Sequence, residues 1–126
     1  MRAIRGAITV EKNTREDILE ASGELLKEII ELNEIETEEL VSILFTATTD
    51  LDAVYPAVAA REMGLDMVPL LCFQEMEVQG SLARCIRVLV FIDRKSPQEE
   101  IKHVYLREAV KLRPDLYINN EKETRE

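Results

Sequence analysis

The chain has 126 residues, 46% apolar and 33% charged, with 25 acidic against 16 basic side chains and a net charge of −9. That length supports one domain with a core of its own. The acidic balance disfavours nucleic acid or an anionic membrane as partner, since both select basic surfaces, and no apolar run reaches the roughly 18 residues a spanning helix needs.

In chain order, Met1 to Gly6 shows no apolar stretch or cleavage site of a secretory leader. Residues 2–10 alternate as a first strand, with Gly6 permitting close approach of another backbone. Thr14 offers an N-cap, Glu16 and Asp17 follow in the first turn, and Ile18, Leu19, Leu25, Leu26, Ile29 and Ile30 keep helical spacing, which predicts a helix over 15–32. Residues 37–40 suggest a helical turn and 41–48 a second strand. Ala53 to Met63 reads as a second helix closed by Gly64, with Pro56 in its first turn. A third strand is expected over 67–72, a polar connection over 75–81 and a fourth strand over 85–93. Pro97 opens a further predicted helix through Ile101 and Val104. Cys72 and Cys85, thirteen residues apart, fit neither a disulfide framework nor a zinc-ligand pattern. With His103 as the one histidine, no metal site and no cofactor is expected, and reduced thiols point to the cytoplasm.

Strands alternating with helices indicate an α/β (α+β) domain built on one mixed β-sheet. Helices on one face leave the other face short of cover, so self-association through that face is expected. A charged residue interrupts the most apolar strand: Arg87 stands in the run Cys85 to Ile92, where a guanidinium loses heavily on burial unless an anion meets it. It either reaches out to a structural carboxylate or binds an anionic ligand, and position alone does not choose. The third strand ends in Cys72-Phe73-Gln74-Glu75, so two neighbouring strands suggest a small, dry, charged pocket. Taken singly, Arg5 is compatible with a solvent-facing strand position and Arg61 with a helix surface. Arg113 fits a loop, Glu75 a solvated turn, Cys72 core filling, Tyr105 a half-buried anchor and His103 a structural contact. Several arginines on strands and element ends of an acidic protein nevertheless suggest a local positive field for a small polyanion.

Cys72-Phe73-Gln74-Glu75-Met76, Arg84-Cys85-Ile86-Arg87-Val88, His103-Val104-Tyr105-Leu106 and Leu112-Arg113-Pro114-Asp115-Leu116 resemble, in order and spacing, the AroH-type monofunctional chorismate mutases. Ile4 to Val10, Ala47 to Leu51, Tyr55-Pro56-Ala57 and Ala60-Arg61-Glu62 agree, so the resemblance covers residues 2 to about 117. It implies one catalytic domain over 1–117; the polar composition of residues 118–126 suggests a mobile tail after it. It also implies a homotrimeric pseudo-α/β barrel with sheets packed inward, active sites at subunit interfaces, and chorismate as the small-molecule substrate converted to prephenate. Carried over by motif, Arg87 would face the ether oxygen and a carboxylate, Arg5 and Tyr105 would bind the carboxylate side, and Glu75 with the Cys72 region would hold the ring hydroxyl. Arg61 and Arg113 would gate or complete the pocket, and Tyr55 and Leu112 would line it.

The chain departs from the family pattern at Val58, where relatives often carry lysine, and at Leu71, where threonine is common. Both changes are expected to alter affinity rather than abolish activity. The alternatives are a non-catalytic trimeric binder of a small carboxylate and an imine deaminase-type trimer. The first needs the arginines without Glu75, and the second needs a water-activating group that Cys72 and Glu75 supply only weakly.

Overall fold

The computed structural model describes residues 1–115; the tail expected over 118–126 lies outside the described residues. Strands β1 (Arg2–Thr9), β2 (Leu40–Ala47), β3 (Leu70–Gln74), β4 (Cys85–Ile92) and β5 (Val104–Leu106) form one sheet in the order β3-β2-β4-β1-β5. β4 runs antiparallel to β1 and β2, whereas β3 joins β2 and β5 joins β1 in parallel. The fold is therefore α+β around a mixed sheet, as expected.

Helix α1 (Arg15–Leu32) spans the expected residues. The Thr14 hydroxyl accepts from the Asp17 N–H at 3.1 Å, satisfying one of the donors that a helix start leaves free. Its other end carries no basic residue in the last turn, but Arg94 supplies the cation from beyond β4. Arg94 Nη1 donates to the Asn33 carbonyl and Nη2 to the Glu34 carbonyl, where the helix dipole favours positive charge. Arg94 also clamps Glu39 through Nε and Nη2 at 2.9 and 2.8 Å. These Arg94 bonds, with the Glu36 backbone, hold the Glu39 carboxyl down to about 2.

The second helix is shorter than expected: α2 is Ala57–Glu62. Asn13 accounts for the lost turn. Its Oδ1 accepts from the Asp52 and Ala53 N–H groups and its Nδ2 donates to Asp52, so these residues are tied to the loop before α1 instead of entering a helix. Pro56, which has no N–H to lose, stands as the cap, and Gly64 at φ +89° lets the chain turn away.

The helix expected from Pro97 is not formed. A 3-10 turn, Gln98–Glu100, leads instead to β5, whose residues pair with Gly6, Ala7 and Ile8. The spacing of Ile101 and Val104 was compatible with a helix, but tertiary pairing won. Asn33 helps, since its Oδ1 accepts from the Lys102 N–H and its Nδ2 donates to the Lys102 carbonyl, holding that backbone extended beside β1. A further 3-10 stretch, Arg107–Leu112, folds back over the end of the sheet.

Strand alternation separates two faces. Ile4, Ile8, Ile43, Phe45, Ile86, Val88, Val90 and Ile92 are buried in one core with Ile18, Leu25, Leu26 and Ile29 of α1. Gly6 lies under the helix, where an added Cβ would meet Ile29 Cδ1 at 2.7 Å and Val88 Cγ2 at 3.0 Å. The opposite face presents Arg5, Leu44, Thr46, Leu71, Phe73, Arg87, Leu89 and Phe91 and has little of its own chain over it. Leu71 is 58% exposed and Phe73 48%, so the shortage of cover read from the sequence is a property of the folded chain.

Candidate active site

The open face carries the charged constellation. Register places Phe73, Thr46, Arg87, Ala7 and Tyr105 in one row across the five strands. Arg5 is opposite Leu89 in the next row, so it is a diagonal, same-face neighbour of Arg87. Tyr105, Ala7, Cys85 and Ala109 form a small buried cluster, with Leu82 and Leu112 packed against it. This cluster closes one end of the face.

Arg87 does not sit in the dry enclosure expected of it. Its side chain is 47% exposed, because β4 alternation turns it to the uncovered face. Its Nε lies 3.4 Å from Oε2 of Glu75, whose side chain is 19% exposed. Glu75 follows β3 and extends the ladder by one bond, its N–H donating to the Ala47 carbonyl at 2.9 Å. The Thr46 hydroxyl donates to the same Oε2 at 2.5 Å. An ion pair this exposed contributes only about 0–1 kcal/mol to stability. Structural stability therefore does not account for an arginine in the middle of an apolar strand.

Glu75 also borders a cleft of about 330 Å³ together with Thr48, Asp50, Met76 and Leu82. The wall of that cleft is fixed from below: Asp50 accepts from the Arg84 N–H and the Thr48 hydroxyl from the Cys85 N–H. A second cleft, about 480 Å³, lies between Asp17, Arg84 and Arg107 and contains none of the site residues expected from the sequence. Its arginines are already engaged, Arg84 with the Val10 carbonyl and Arg107 with the Thr9 carbonyl and Glu24.

Cys72 is turned away from this constellation. It is in register with the fully buried Phe45 and packs against the helix-side core, whereas Glu75, three residues on, belongs to the open face. Burial pushes its thiol up, against lowering by the Ala57 backbone and the Arg61 charge. Cys72 thus belongs with Arg61 on α2. Tyr55, just before α2, is 70% exposed. Burial likewise pushes the Cys85 thiol up, to about 11, with the nearby Arg87 charge opposing.

Arg113 donates to both carboxylate oxygens of Asp115 at 3.2 Å, and its charge is felt at His103. His103 Nδ1 accepts from the Arg5 N–H at 2.9 Å. Burial, then the charges of Arg5 and Arg113, push the imidazole down to about 4, so it is neutral near pH 7. Two members of the constellation escaped the sequence reading. Thr46 looks like any β-former in a strand, and Cys85 like any small apolar residue. The one available signal for Thr46 was its parity with the open face.

The chain thus divides its candidates into two sets. Arg5, Glu75, Arg87, Tyr105, Leu112 and Arg113 gather on or beside the open face, while Tyr55, Arg61 and Cys72 gather at α2 and the core side of β3. Among the described residues no group of three or more histidine, cysteine or acidic side chains could hold a metal ion. A positive site beside a carboxylate, on a sheet face with little of its own chain over it, defines a small α+β protein suited to an anionic molecule.

The family model for chorismate mutase type I matches residues 1–116. The chain is 53% identical to chorismate mutase AroH of Thermus thermophilus over 117 residues, covering 92% of this chain and 96% of that one. It is 48% identical to chorismate mutase AroH of Bacillus subtilis over 124 residues, covering 98% of each. A solved chorismate mutase from Clostridium thermocellum superposes with a TM-score of 0.85 at 47% identity, covering 86% of this chain and 97% of that one. The chain belongs to the chorismate mutase type I family. Its activity is that of a chorismate mutase, an isomerase, and the readings as a non-catalytic binder or an imine deaminase give way.

Proposed function

We propose that the chain performs the pericyclic rearrangement of chorismate to prephenate as a cytoplasmic homotrimer, with each site assembled from two subunits. The observation that carries this reading is the division of the candidates. Arg87 and Glu75 present opposite charges on the open face, while Arg61 and Cys72 occupy the other side of β3. One protomer does not bring both sets around one small molecule, but a neighbour seated on the open face would add its Tyr55, Arg61 and Cys72 to the first protomer's Arg87. The apolar residues of that face, Leu44, Leu71, Phe73, Leu89 and Phe91, give the neighbour a surface to bury. Free Cys72 and Cys85 suit a reducing compartment.

The chemistry asks little of the protein beyond placement and charge. In chorismate the bond between the ring carbon and the ether oxygen breaks as a carbon–carbon bond forms, so electrons move within one molecule. No proton, nucleophile, metal or cofactor takes part. Negative charge grows on the ether oxygen in the transition state. The Arg87 guanidinium, fixed by its strand, meets that charge and stabilises the transition state more than the ground state. Arg5 and Tyr105 hold the carboxylate side and keep the enolpyruvyl arm folded over the ring. Glu75 accepts from the ring hydroxyl and favours the positive character on the ring. Arg113 and the neighbour's Arg61 complete the pocket, lined by Leu112 and Tyr55. Leucine at 71 and valine at 58 leave fewer polar groups at its edge.

Mixed trimers test the shared site. Arg87→Ala and Arg61→Ala chains, each nearly inactive alone, are expected to regain activity when refolded together. Random mixing of subunits in a cyclic assembly leaves about one quarter of the interfaces with both intact halves. Mixed trimers that form and stay inactive would exclude a site shared between subunits.

A further inference from the structure

We propose that Thr46 is a positioning residue for the rearrangement: its hydroxyl holds the Glu75 carboxylate in one orientation and prevents it from closing on Arg87. This rests on the role given to Glu75 above. Thr46 is in register with Arg87 on β4 and with Phe73 on β3, so it stands on the open face between the cation and the strand that carries the anion. Its Oγ1 donates to Glu75 Oε2 at 2.5 Å, while Arg87 Nε approaches the same oxygen only to 3.4 Å. A guanidinium beside a carboxylate otherwise tends to a two-point fork with nitrogens about 2.7–2.9 Å away. Here the hydroxyl takes the shorter contact, and neither interaction uses Oε1.

That arrangement has two consequences. Glu75 Oε1 remains for the ring hydroxyl of the substrate, aimed by a strand on each side. Arg87, which also meets the Cys85 thiol, is kept out of a fork with Glu75, so that its guanidinium can turn to the ether oxygen and a carboxylate. Without the Thr46 hydroxyl, the pair would collapse into a mutual fork, and the substrate would have to break it before binding productively.

Thr46→Val keeps shape and β-branching but removes the donor, and Thr46→Ser keeps the donor and removes the methyl. A hydrogen bond to a charged acceptor is worth enough that Thr46→Val should lower kcat about tenfold or more, with KM for chorismate changed far less. Thr46→Ser should stay within about threefold of the parent, retaining most of that hydrogen bond. Because Thr46 acts through Glu75, adding Thr46→Val to Glu75→Gln should change kcat by less than about twofold, the mark of two residues acting as a unit. Circular dichroism and light scattering confirm that each variant keeps fold and assembly, and Thr46→Ala replaces the valine variant if that one does not. Full activity in Thr46→Val beside an impaired Glu75→Gln would overturn the proposal. So would an undiminished Thr46→Val effect in the Glu75→Gln background, which a purely structural role would give. Full activity in Glu75→Gln itself would instead remove Glu75 from the site, and this proposal with it.

Discussion

The backbone N–H of Arg5 donates to Nδ1 of His103 across 98 residues of sequence, at 2.9 Å. The bond joins β1 to the residue just before β5, and it requires Nδ1 to carry no proton. It fixes the strand that bears Arg5 by means of a titratable group.

The imidazole is pushed from an ordinary 6.5 down to about 4 by burial and by the charges of Arg5 and Arg113. Between those values the unfolded chain binds more protons than the folded one, so stability rises with pH. The contribution is complete above about 6.5 and is lost as pH falls toward 4. His103→Asn places an oxygen near the Nδ1 position and does not titrate. Urea midpoints measured from pH 7 to pH 4.5 should therefore fall more steeply in the parent than in the variant. Parallel curves would mean that His103 is not protonated on unfolding.

Gly6→Ala should destabilise the fold by about 1–3 kcal/mol, the usual cost of overpacking a filled core. The new methyl would press on Ile29 Cδ1 at 2.7 Å and Val88 Cγ2 at 3.0 Å, both belonging to residues nearly or fully buried. Chemical denaturation would show the loss as a lower midpoint at unchanged slope. An unchanged midpoint would mean that α1 slides off β1 without cost.

The sequence made α1 and the apolar strands legible because their periodicity is long and the Thr14 cap is explicit. Arg87 was legible because a charge in an apolar run has few explanations. Its exposure was not legible, since a strand has two faces and periodicity does not say that the one bearing Arg87 lacks cover from its own chain. β5 was hidden because three residues carry almost no periodic signal and its pairing with β1 is non-local. α2 was overextended because Asn13, forty residues away, removes its first turn. Cys72 and Glu75 are close in sequence, but an odd spacing of three along a strand sends the two side chains to opposite faces, which no motif reveals. Thr46 offered only its parity with the open face, and its partner Glu75 lies 29 residues away in sequence.

Leu89→Asp should convert the assembly to folded monomers with little activity. Leu89 stands between Leu44 and Arg5 on the open face, where a neighbour's apolar surface would have to bury an unpaired carboxylate. Light scattering and far-ultraviolet circular dichroism check this together. A trimeric, active Leu89→Asp variant would place the interface elsewhere.

The central claim is that Arg87 stabilises charge that exists mainly in the transition state, and kcat of Arg87→Ala on chorismate tests it most directly. Losing one oxyanion donor costs roughly 100- to 1,000-fold, and a charged donor should reach or pass the upper end. Arg87→Lys should rescue poorly, because an ammonium lacks the planar fork. With fold and assembly confirmed by circular dichroism and light scattering, the account predicts a kcat reduced at least about 1,000-fold in Arg87→Ala. A folded Arg87→Ala trimer whose kcat stays within about threefold of the parent, far short of one donor's worth, would contradict it.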